Sequence, residues 1–144
     1  AEFSGSGVID EKKIFTKNQL DEINDNIRET AKNLNMNIMI YLGDSSGWSE
    51  EQTKRFADST YDDIFGIDSD GVFYYMDLSE DSDAYDYIST SGIANNYYNG
   101  KIEDMFEEIF KYLPATGEPI VDTQIQSAIC QILLVFDEYH DSMS

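Results

Sequence analysis

Ile67-Asp68-Ser69-Asp70-Gly71-Val72-Phe73-Tyr74-Tyr75-Met76 runs from an acidic loop straight into an apolar, aromatic strand. The strand part does not alternate polar with apolar, so both of its faces need cover. Ile38-Met39-Ile40-Tyr41-Leu42 has the same character and stops at Gly43-Asp44. Two such strands joined by a helix-length segment imply a parallel pair with a right-handed crossover. Two-sided burial places helices on both faces, which makes the fold class α/β.

The segments around this pair read as helices. Thr16 with Gln19, and Ser49 with Gln52, have the spacing of capping boxes. Leu20, Ile23, Ile27, Ala31 and Leu34 then recur at helical spacing, giving a helix over about 17–34. Phe56, Ala57, Thr60, Tyr61 and Ile64 mark the inner face of a second helix over about 50–64. Trp48, ahead of the second cap, packs onto that helix. After Val72–Leu78, a polar turn at 80–83 leads to a third strand over 84–89, hairpinned to the second. Residues 91–96 form a loop or one helical turn. Ile102, Met105, Phe106, Ile109 and Phe110 define a helix that stops before Pro114. A last helix over about 120–139 buries Val121, Ile125, Ala128, Ile129, Ile132 and Phe136. With a possible edge strand at Val8-Ile9-Asp10, the order is (β)αβαββαα in a small mixed, partly parallel sheet. Residues 1–7 read as a linker or boundary remnant, 8–140 as one domain, and 141–144 as a disordered tail.

The 144 residues carry 29 Asp and Glu against 9 Lys and Arg, a formal net charge of −20. A field of that sign repels phosphate backbones, so nucleic acid is excluded as a partner. Cations and basic protein partners are favoured. Ten Tyr and 8 Phe supply enough apolar surface for a real core. No run approaches the roughly 20 apolar residues of a membrane span, so membrane attachment would need segments outside this chain. A monomer is expected. Cys130 stands alone in an apolar helix and is expected to pack as a small apolar residue. His140, the one histidine, is expected in solvent.

These counts narrow the chemistry. One His and one Cys do not make a zinc site of the usual kind or a Ser/His/Asp triad. Gly43-Asp44-Ser45-Ser46-Gly47 has the small residues of a phosphate loop but no Lys, so it reads as a turn. Asp68-Ser69-Asp70-Gly71-Val72 resembles the first motif of haloacid dehalogenase-type phosphatases, but here the strand follows the aspartates instead of preceding them. An EF-hand alignment would put Gly66 at the first ligand position. A cation site would therefore have to gather carboxylates from several loops. The candidates are Asp10, Asp62, Asp63, Asp68 and Asp70, with Asp44 a further carboxylate at a strand end. Tyr74, Tyr75, Tyr85, Tyr87, Tyr97 and Tyr98 read first as core and cross-strand partners, and second as a carbohydrate-binding strip.

Taken together, residues 8–136 resemble the TPM domain of bacterial envelope and plant thylakoid-lumen proteins. Val8-Ile9-Asp10 resembles that family's opening element, and Phe15-Thr16 with Leu20 and Ile23 its first helix. Asn37–Leu42 is similar to its first core strand. Asp70-Gly71-Val72-Phe73-Tyr74-Tyr75 looks like its Asp-Asn-Gly-Val strand start, without the Asn. Ile88-Ser89-Thr90-Ser91-Gly92 resembles the strand and glycine loop that follow. The resemblance implies a mixed sheet between helices, an extracytoplasmic location, Ca²⁺ binding and, in some members, acid phosphatase activity. Asp70 and Asp10 carry over as metal ligands; Asp62, Asp63 and Asp68 join them on charge alone. The expected function is an extracytoplasmic interaction or divalent-cation-binding module of an envelope protein. The alternative is a metal-dependent phosphatase acting on phosphate esters.

Overall fold

The computed structural model describes residues 5–79, 84–115 and 118–141. Residues 1–4 of the expected linker, the expected turn at 80–83 and the tail at 142–144 lie outside the described residues.

Four strands form one sheet in the order β1 (Gly7–Asp10), β2 (Asn37–Gly43), β3 (Gly71–Asp77), β4 (Tyr87–Ser91). The first three are mutually parallel and β4 is antiparallel to β3. Among the described residues five helices accompany them: α1 (Lys17–Leu34), α2 (Glu50–Phe65), α3 (Ala94–Tyr98), α4 (Ile102–Phe110) and α5 (Asp122–Asp141). The α/β fold with a mixed sheet between helices is the architecture that the sequence implies. Both capping boxes form: Thr16 Oγ1 accepts from the Gln19 N–H, Ser49 Oγ from the Gln52 N–H, and each Gln side chain reaches back to its cap.

The pleat sorts the two central strands cleanly. Ile38, Ile40, Leu42, Val72, Tyr74 and Met76 face one core with residues of α1, α3, α4 and α5. Met39, Tyr41, Phe73 and Tyr75 face a second, smaller core with Ala57 and Tyr61 of α2. Every residue of β3 is buried. Trp48 packs on Phe56 of α2, with ring centroids 5.3 Å apart.

This sorting has a topological consequence. β1, β2 and β3 advance in one direction across the sheet, yet α1 and α2 cover opposite faces. The two crossovers therefore have opposite hands, and only one follows the right-handed rule.

Several local expectations are corrected. β4 starts at Tyr87, three residues later than the alternation from Ala84 suggests. β1 begins at Gly7, and Ser6 ahead of it is buried, its hydroxyl accepting the Ile38 N–H. Ile64 and Val121 are exposed; Val121 precedes the first turn of α5 and so escapes its inner face. Cys130 is exposed, because α5 turns it toward α1 at the rim, where the Asn26 amide lies 3.6 Å from its sulfur. His140 is partly shielded, its ring 4.1 Å from that of Tyr97.

Candidate functional site

The sheet presents two ends. The carboxyl ends of the parallel strands are where open α/β sheets hold ligands, most of all where neighbouring loops leave for opposite faces. β1 leads to α1 on one face and β2 to α2 on the other, so that divergence falls between Asp10–Lys13 and Gly43–Ser46.

Side chains of the chain itself bridge this crevice. Lys12 Nζ lies 3.1 Å from Asp44 Oδ2. Hydrogen bonds from Ser46, with help from Lys12, hold the Asp44 carboxyl down at about 2. Asp10 is consumed by its own loop: its two oxygens accept the N–H groups of Ile14 and Phe15 at 3.1 and 3.0 Å. The Tyr41 hydroxyl donates to Glu11. Burial, then the Glu11 hydrogen bond, raises the Tyr41 phenol well above its usual value, so it stays a proton donor.

Two further carboxylates stand beyond β3 at the same end. Asp77, at the strand terminus, accepts from Ser45 N–H, Ser45 Oγ–H, Ser79 N–H and Tyr85 N–H. Burial works to raise its pKa, but these bonds outweigh burial and leave the pKa below its ordinary value. Asp86 accepts from the Tyr74 hydroxyl at 2.6 Å and the Asp77 N–H at 2.8 Å. Here burial wins over those bonds, and its carboxyl is pushed up to about 7. The pair lines a hollow of about 400 Å³ with Met76, Leu78, Phe110 and Leu113. Its bonds make it a clasp that ties the β2–α2 loop, the end of β3 and the approach to β4 together. In the sequence Asp77 and Asp86 show only as the ends of an acidic stretch; the clasp depends on partners 9 and 32 residues away.

At the amino end lie the other proposed ligands. Asp62 and Asp63 close α2, and Asp68 and Asp70 sit in the loop from α2 to β3. Asp63, Asp68 and Asp70 are exposed and Asp62 is half-buried. Asp68 has φ 63°, in the left-handed region that Asp tolerates. Asp70 Oδ1 accepts the Ile93 N–H at 2.8 Å, tying the start of β3 to the loop after β4. Gly92 in that loop has φ 60°, and a Cβ there would overlap Asp70 Oδ1. A Cβ at Gly71 would likewise overlap the Tyr61 hydroxyl and the Asn37 carbonyl. The Asp70-Gly71 pair and Gly92 thus form one latch between the start of β3 and the loop after β4.

The five proposed ligands are not brought to one point. Asp10 is level with Leu42, whereas Asp70 precedes Gly71, which is level with Asn37. Five strand residues separate the two levels, roughly 17 Å at about 3.3 Å per residue. The other four share the amino end, but among the described residues no group of three or more His, Cys, Asp or Glu could hold a metal ion together. These residues do not make a Ca²⁺ chelate as they stand. Tyr74, Tyr75 and Tyr98 are buried, so the six tyrosines form no exposed strip.

The amino-end acids continue along one flank. Asp58 and Asp62 of α2 face the edge strand β4, and Asp58 Oδ1 accepts the Ser89 hydroxyl at 2.5 Å. From Phe56 to Gly100 there is no Lys, Arg or His. No family model matches the chain, and no curated protein matches it.

Proposed function

We propose that this chain is a non-catalytic interaction module, TPM-like and extracytoplasmic, whose acid-only flank recruits a positively charged partner. The observation that carries this reading is the distribution of charge. Asp58 and Asp62 line the groove beside β4, Asp63, Asp68 and Asp70 follow at the amino end of the sheet, and four of the five are exposed, within 45 residues that hold no base. The same carboxylates do not converge as a chelate, so a basic protein segment suits them better than a single bound Ca²⁺. The net charge of −20 speeds encounter with such a partner and disfavours self-association.

The test is titration with a labelled lysine-rich peptide, read by fluorescence anisotropy. Saturable binding is expected, weakening steeply from about 0.01 M to about 1 M salt as the Debye length falls from about 30 to about 3 Å. An acidic peptide of equal length should not bind. Absence of binding at low salt would overturn the reading. Thermal melting with Ca²⁺ and Mg²⁺ at matched ionic strength separates chelation from screening. A specific site at hundredfold saturation would add about 2.7 kcal/mol. Equal small effects of the two ions are expected, and a Ca²⁺-specific rise would restore the chelating site. Hydrolysis of a generic phosphate ester, abolished by Asp70→Asn, would replace the module with the enzyme.

A further inference from the structure

The two edges of the sheet are finished differently. At β1, the Val8 N–H is donated to Asn24 Oδ1 at 2.9 Å, and Arg28 Nε donates to the Ser6 carbonyl at 3.0 Å. Side chains of α1 thus tie off that edge, the usual protection against unwanted pairing. β4, at the opposite edge, pairs only with β3 among the described residues. Its Ser89 and Thr90 side chains bond Asp58 and Asn95, but no such tie reaches its backbone among the described residues.

That edge lies along an open groove of about 530 Å³. Asp58, Tyr61 and Asp62 of α2 form one wall, and Asn99 and Ile102 at the start of α4 form the other. The walls carry carboxylates and no base. Bases at its margin are Lys54, whose Nζ is 6.0 Å from the centre of the Tyr87 ring, and Lys101, next to Ile102 in sequence.

We infer that β4 is a strand-addition site, and that its occupant is an extended basic segment of a partner protein. An exposed sheet edge offers a partner strand a row of backbone donors and acceptors, while the groove walls select its side chains. Every second side chain of an added strand points to the same face, so alternating basic residues would meet the α2 carboxylates. The partner must be basic: a second copy of this chain would bring another −20 to the same edge. The inference rests on the acid-flank reading and deepens it, from attraction to a defined mode of pairing.

The test uses an alternating lysine–valine peptide and its twin with every second backbone amide N-methylated. The twin keeps the charge and side chains but loses the donors of one edge. Strand addition predicts that the twin binds about tenfold more weakly, the loss of two or so backbone hydrogen bonds. It also predicts slower hydrogen exchange of the amides of residues 87–91 when the unmodified peptide is bound. Equal binding of the two peptides, or unchanged exchange at 87–91, would overturn strand addition and leave the acid flank standing. Binding of neither peptide would overturn both. Self-association of the chain that protects 87–91 without peptide would assign the edge to a second copy and overturn the basic occupant.

Discussion

Asp86 and Asp77, nine residues apart, are held in opposite states: burial raises the carboxyl of Asp86 to about 7, whereas four donors keep Asp77 ionised. For Asp86 the folded value of about 7 exceeds the ordinary 3.8. The folded state then holds a proton that the unfolded chain has released, so the contribution of Asp86 is full below pH 3.8 and is lost as pH rises toward about 7. Asp86→Asn should remove that decline, on the order of a few kcal/mol, so the variant gains on the parent between pH 4 and 7. Urea unfolding of both proteins across that range checks it. Asp77 acts with the opposite sign, its stabilisation disappearing only as pH falls below 3.8. At the latch, Gly71→Ala should cost about 1–3 kcal/mol through overlap with the Tyr61 hydroxyl and the Asn37 carbonyl. Residue-level roles were the least legible in sequence. The spacing of Asp68 and Asp70 is visible, but that Asp70 reaches Ile93 depends on a contact 23 residues away. Cys130 and His140 were misplaced for a related reason. Their exposure is set by how α5 meets α1 and by Tyr97 of α3, an element too short to show a period of its own.

Elements were legible where local signals agreed. Each capping box fixed a helix start, and uninterrupted apolar runs marked β2 and β3 as two-sided strands. α5 followed from its apolar period, and its packing is testable. Phe136 is fully buried, and its carbonyl accepts the Tyr98 hydroxyl at 2.8 Å. Phe136→Ala should cost about 3–5 kcal/mol in denaturant unfolding. Leu134, on the outer face and 62% exposed, should tolerate Ala within about 0.5 kcal/mol. The hand of the crossovers was not legible. It depends on which face α1 and α2 take, and periodicity says that a face is apolar without saying which side of the sheet it covers. The start of β4 also shifted, because Tyr85 and Asp86 are used by the clasp at Asp77 before pairing with β3 begins.

For the whole molecule, charge dominates. A net −20 on 144 residues opposes compaction, and screening should relieve it. Melting temperature should rise by about 2–4 °C from low to high salt, the effect of about 1 kcal/mol in a domain of this size. A fall with salt would mean that the few ion pairs, such as Lys12–Asp44 and Lys17–Asp21, outweigh the repulsion. The composition made the acidity plain from the start, and its concentration between Phe56 and Gly100 is also plain in sequence. That Asp58 and Asp62 come to line β4 is not, since it needs α2 and β4 to lie side by side.

The most direct measurement is amide chemical-shift mapping of the chain with a lysine-rich peptide at low salt. Shifts clustered over residues 58–70 and 87–99 are expected, fading as salt is raised. Shifts gathered around Lys12 and Asp44 at the carboxyl end, or none at all, would contradict a flank built to receive positive charge.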